Sequence, residues 1–293
     1  MKIKIFLSSI LLLASMKVLA SEETCSEMEV WDYSMAMCMP FPMKDMPMKM
    51  LMLQGNSFFT QSVEEGRRGR NEFSVPNMIM AYIGTSVGDH QYFNLDFMGT
   101  AELWTIPQKG YPELLQVGEE NKDHVPYMDA HHPHSSPVKG LTLSDTISLG
   151  RNKDHIKVWF APRGQSTDGP VAFMHRPTGM VNPDAPLGHH VGQDVGHISS
   201  TVVGALVHLG NTTLEVSSFN GTEPKPAQVD LPMGVLNSYA ARLTEQFTPD
   251  SYDMILAAKL KSDEDDAEHI GRYSVFLYHQ HHFENGWMFH NTL

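Results

Sequence analysis

The side chains in this sequence with the clearest chemistry are thioethers and imidazoles. Met35, Met37 and Met39 alternate within a segment that also carries Met28, Met43, Met46, Met48, Met50 and Met52, and Cys38 stands between two of them. Thioether sulfurs are soft donors, so a Met-x-Met-x-Met run can converge on a soft ion such as Cu(I). Methionine is also a pliable apolar filler, and the same residues could simply lead into a first strand. The imidazoles gather in two stretches without periodicity. Residues 118–140 hold His124, Asp129, His131, His132 and His134; residues 162–197 hold Asp168, His175, Asp184, His189, His190, Asp194 and His197. His131 and His134 together with His189, His190 and His197 would suit a borderline cation such as Zn²⁺ or Cu²⁺ if the two loops meet. The bland alternative is that these rings serve as loop hydrogen-bond partners. Loops of this length in a compact domain are usually functional or disordered. No serine elbow, phosphate loop or His-Glu-x-x-His pair is present. The chain is therefore expected to bind rather than to catalyse, with metal-dependent hydrolysis on the His-rich loops as the enzymatic alternative.

Strands must position these groups. Over residues 92–104, Phe93, Leu95, Phe97, Gly99, Ala101 and Leu103 alternate with polar Asn94, Asp96, Thr100 and Glu102, and that period of two belongs to a strand. A strand of a soluble sandwich runs about 5–6 residues, whereas one that crosses a bilayer on a tilt needs about 9–11 with one face apolar throughout. Tyr92 and Trp104 stand at its ends, where an interfacial girdle would want aromatic rings. The pattern recurs at 77–87, 141–149, 155–160, 201–209, 212–219, 239–247, 254–260, 272–280 and 287–293, with no amphipathic helix between. Tight turns at Gly88-Asp89, 150–153, Gly210-Asn211, 248–250 and 284–286 alternate with long loops. An outer-membrane barrel has that layout, short turns on one rim and long loops on the other. On the polar faces, Arg242, Lys259 and Arg272 would point into a lumen and bias a pore toward anions.

Residues 1–20 carry the marks of a secretory signal: Lys2 and Lys4, an apolar run over 5–14, and Val18-Leu19-Ala20 as the cleavage site. Nothing downstream reaches the ~18 consecutive apolar residues of a membrane-crossing helix, so an inserted mature chain would have to be a barrel. Export places Cys25 and Cys38 where disulfides persist. A bridge closing a small loop is expected, the alternative being Cys38 as a metal ligand. The formal net charge of −13 argues against nucleic acid, whose phosphates call for a basic face. Three segments follow: a signal at 1–20, a Met-rich leader at 21–45 expected to be flexible and periplasmic, and a β-barrel domain at 46–293.

Several motifs carry a resemblance. Behind the Met-rich leader come Glu102-Leu103-Trp104, Tyr111-Pro112-Glu113-Leu114-Leu115, the run from His131 to Ser136, FAPRGQSTDG at 160–169, HRPTGMVNPDAP at 175–186 and FNGTEP at 219–224. In this order they resemble a family of uncharacterised outer-membrane β-barrel proteins of Gram-negative bacteria, from about residue 46 to the end. More loosely, a Met-rich leader before a barrel is similar to the copper-resistance protein B family. The first resemblance implies fold and location without an activity; the second implies a copper role for the leader. Barrel chains usually finish on a complete strand with an aromatic end, whereas His290-Asn291-Thr292-Leu293 stops partway, so either C-terminal strands are missing or closure is achieved otherwise. The expected protein is all-β, an antiparallel transmembrane β-barrel with long loops, acting as a porin-like outer-membrane channel with copper as its only cofactor. Its partners would be outer-membrane lipid, small solutes or metal ions, and the barrel-assembly machinery. The alternative is a soluble periplasmic β protein with a His-rich metal site.

Overall fold

The computed structural model describes residues 25, 29–32, 37–42, 48–63, 65, 71–107, 119–120, 126–127, 136–150, 153–170, 175, 198–222, 229, 232–248, 251–261, 269–283 and 288–292. Alternating side chains build it almost entirely from antiparallel strands. In chain order these are β1 (Glu29–Asp32), β2 (Met37–Pro40), β3 (Lys49–Ser57), β4 (Thr60–Val63), β5 (Asn71–Ser74), β6 (Asn77–Val87) and β7 (Gln91–Gly99). A single helical turn, α1 (Glu102–Thr105), precedes β8 (Glu119–Glu120), β9 (Pro126–Tyr127), β10 (Val138–Ser148), β11 (His155–Arg163), β12 (Val202–Leu209) and β13 (Thr212–Phe219). The chain continues as β14 (Ser238–Thr248), β15 (Ser251–Lys261), β16 (His269–His282) and β17 (Met288–Thr292). Eleven of the strands form one sheet in the order β17-β16-β15-β14-β13-β12-β11-β10-β7-β6-β3. Among the described residues no helix is long and apolar enough to cross a membrane, which says nothing about crossing by strands.

The closed barrel expected from the sequence is not formed among the described residues. Strand β3 pairs with β6 alone and β17 with β16 alone, so the ladder ends at two edges. The last strand is short, five residues, and offers few positions for further pairing. The strand expected over residues 92–104 instead stops at Gly99, and Glu102–Thr105 turns into a helix. Side chains at the rim take over from the ladder there. Thr100 Oγ1 donates to the carbonyl of Asn77, Ala101 N–H donates to Asn77 Oδ1, and Asn77 N–H donates to a Glu102 carboxylate oxygen at 3.0 Å. A buried backbone group must find a partner somewhere, and these side chains supply it where the strand ends.

Connections alternate in length as expected. The turns between β6 and β7, β10 and β11, β12 and β13, β14 and β15, and β16 and β17 are all short, while every other crossing of the main sheet is longer. Gly88, Gly150 and Gly210 hold φ of +64°, +76° and +60° in three of the tight turns, the left-handed backbone that glycine adopts without penalty.

Over much of the sheet, polar side chains face in and aliphatic ones face out. Leu51, Leu53, Ile79, Ile83, Leu143, Val216, Ile255 and Val275 point outward and are exposed, whereas Asn94, Ser144, Thr146, Thr213, Glu215, Ser217, Arg242 and Thr244 are buried on the inner face. The inner face also holds apolar clusters. One comprises Ala161, Val202, Phe219, Ala240, Leu256, Ala258 and Leu260; another is Tyr252, Met254 and Tyr278, with the two tyrosine rings stacked at 4.7 Å. Across the β11–β12 pair the Trp159 ring lies over Gly204, where any side chain would collide with it.

Candidate functional site: a plugged polar concavity

Two pieces of chain enter the concave face. From the tight-turn rim comes the hairpin β1–β2, within the segment expected to be a flexible leader. It is tied by the Cys25–Cys38 disulfide, so Cys38 carries no thiolate for a metal. Lys153, in a rim turn, donates to the carbonyl of Glu29 at 2.6 Å. Further in, Asp32 of β1 accepts a charged hydrogen bond from Lys157 Nζ of β11 at 2.7 Å. Phe41, just past β2, meets the His155 ring edge-on, and His155 stacks on His208 at 5.1 Å. From the long-loop rim, the segment 164–170 folds back inside. Its Gly164 bridges to Ser199, Thr167 N–H donates to Ser217 Oγ, and the Gly169 carbonyl accepts from Arg242 Nη1.

Besides the Asp32–Lys157 pair of the hairpin, one ion pair ties residues 164–170 to the wall and another crosses the wall itself. Arg242 places Nε and Nη2 on one Glu215 oxygen at 2.8 and 2.6 Å, and Arg272 Nη2 reaches Asp168 at 2.7 Å. Charged groups leave water only at considerable cost, so such pairs depend on close, hydrogen-bonded geometry. Burial pushes the Asp168 carboxyl above its ordinary value; the Arg272 and Arg242 guanidinium groups and the Gly169 N–H pull it back only in part.

A cavity of about 100 Å³ remains between these parts. Asp32, Asp96 and Glu215 line it together with Lys139, Lys157 and Arg242, and with His175 and Tyr82. Met39, Met80 and Met98 complete one wall. The space suits a few waters or one ion, and an open channel would be much wider.

Of the sequence candidates, Arg242 is buried on the inner face against Glu215, and Arg272 is paired with Asp168. Lys259 does not face in: it lies exposed on the convex face, paired in register with outward Tyr239, because β15 turns Met254, Leu256, Ala258 and Leu260 inward instead. Met39 is buried in the concavity among Met78, Met80 and Tyr82, with Met50, Met52 and Met98 against them. Met35, the Met37 side chain, and His131, His134, His189, His190 and His197 lie outside the described residues. Among the described residues, no group of three or more His, Cys, Asp or Glu side chains is poised for a metal. The sequence reading missed Asp32, Asp96, Lys157, Met80 and Met98 as neighbours. For the methionines a signal was there: in Met78-Ile79-Met80 and Met50-Leu51-Met52, thioethers hold one parity and branched aliphatics the other.

No family model, no curated protein and no solved structure matches this chain.

Proposed function

We propose that the protein is an outer-membrane β-barrel of transport type, with a lumen plugged by the N-terminal hairpin and by residues 164–170, passing small solutes or metal ions when the plug shifts. The observation that carries this reading is the distribution over the faces: the ion pairs and many hydroxyls are buried inside beside apolar clusters, while Leu, Ile and Val make up much of the exposed outer face. Water would penalise that outward face, whereas lipid accommodates it. Strands of 9–11 residues in β3, β6, β7, β10, β11, β14 and β15 match the length of a bilayer crossing. The motif resemblance to outer-membrane barrels agrees with this reading. It requires the edges of β3 and β17 to be paired in the membrane, since open edges are not tolerated in lipid. Those edges favour a second reading, a soluble periplasmic β protein.

The test is gel migration of the protein from isolated outer membranes, unboiled against boiled. A faster unboiled band in the outer-membrane fraction is expected. A single band together with recovery in the soluble periplasm would overturn the proposal in favour of the second reading.

A further inference from the structure

The inner wall of β3, β6 and β7 is sulfur-rich in a way that apolar filling does not demand. Along β3, Met50 and Met52 face in while Leu51 and Leu53 face out; along β6, Met78 and Met80 face in while Ile79 and Ile83 face out. Leucine and isoleucine are thus plentiful in these strands, yet the inward parity takes methionine. Met80 and Met98 are direct cross-strand partners in the β6–β7 ladder, and such partners carry their Cβ atoms ~4.5–5.5 Å apart on the same face. Met39 reaches the same place from the plug hairpin. All three line the cavity of about 100 Å³, together with the carboxylates of Asp32 and Asp96. The Tyr82 hydroxyl already donates to Met80 Sδ at 3.4 Å, so that sulfur presents a lone pair to a polar neighbour.

Thioethers are neutral, soft ligands that select a soft monovalent cation over the harder divalent ions. The carboxylates that line the cavity are matched by Lys139, Lys157 and Arg242, two of them in close ion pairs, so selection here would rest on the sulfurs and would favour an ion of low charge. We propose that Met39, Met80 and Met98 form a binding site for Cu(I) inside the concavity, at the seam between the plug hairpin and the wall. This inference deepens the barrel reading by naming a cargo, and rests on it for the ion's route but not for the site itself. A site at this seam would couple the ion to the plug, because one ligand rides on the hairpin and two are fixed in the sheet. It also moves the copper function away from a Met35, Met37 and Met39 triad, keeping only Met39.

The experiment uses the full exported chain, extracted in detergent and titrated anaerobically with Cu(I) against a chromophoric Cu(I) chelator. Its variants are M80L/M98L and M35L/M37L; Leu for Met conserves volume and is well tolerated in packed sites. One tightly held Cu(I) per chain is expected, with sulfur scatterers in its X-ray absorption. M80L/M98L should weaken binding by more than the ~10–100-fold that losing an outer-shell partner costs a metal site, and M35L/M37L should leave it unchanged. Wild-type affinity in M80L/M98L, or a loss confined to M35L/M37L, would overturn the proposal. Heat-dependent gel migration of the same samples keeps the two readings apart. A folded barrel without Cu(I) refutes the site alone, whereas Cu(I) lost only in M80L/M98L from a protein that shows no shift refutes the barrel alone.

Discussion

Arg242 is 1% exposed, deep in the concavity, with Nε and Nη2 on one oxygen of Glu215 and Nη1 on the Gly169 carbonyl. Glu215→Gln would leave the guanidinium buried without its countercharge, and loss of one partner of a buried pair typically costs about 3–5 kcal/mol. The expected result is a fall of that size in unfolding free energy in detergent, measured by urea titration. Replacing both residues by apolar ones of similar volume should restore most of it. Asp168 gives a pH signature. Its carboxyl is raised above 3.8 by burial, so it holds a proton more tightly in the folded chain than in the unfolded one. Its contribution is therefore full below that ordinary value and is lost as pH rises through the raised one. Asp168→Asn should flatten the decline, read as denaturation midpoints across a pH series; an unchanged slope would remove Asp168 from the account. Arg242 and Arg272 were legible in the sequence because each is a cation on the polar parity of its strand. Lys259 misled for a physical reason: β15 packs its apolar parity against Val202 and Phe219 inside, so neighbours rather than alternation decide which side faces in.

The strands and tight turns followed closely from the sequence, since period-two alternation and glycines at positive φ are local signals. Asn77–Val87 and the Gly210 turn are clear cases. The hairpin β1–β2 was hidden. Its strands have four residues each, too few for a periodic pattern, and its order comes from distant partners, Lys157 and Lys153, together with the disulfide. The end of β7 was hidden too, because Thr100 and Glu102 fit a strand's polar parity and serve instead to close the rim. If the hairpin is a plug, the Lys157–Asp32 bond is its lock. Asp32→Asn should raise the frequency of open events in planar-bilayer recordings while wild type stays mostly closed. Equal conductance in the two would mean that the hairpin is a fixed part of the wall.

At the scale of the molecule the sheet presents aliphatic side chains to its surroundings and keeps its ion pairs within. The sequence carried the alternation, but it could not say whether the sheet closes, because closure depends on how two distant edges meet. Among the described residues the pairing stops at β3 and β17, so what the outward face touches decides between lipid and water. The most direct measurement is site-directed spin labelling of the reconstituted protein in lipid vesicles. Labels would replace convex Val216 and Ile255 and concave Ser217 and Thr244. Collisions with oxygen, which partitions into lipid, would be compared with those of a water-soluble nickel complex. With the outward face in lipid, 216 and 255 meet oxygen and exclude nickel, while 217 and 244, buried on the inner face, are shielded from both. Free access of the nickel complex to 216 and 255 would contradict that placement.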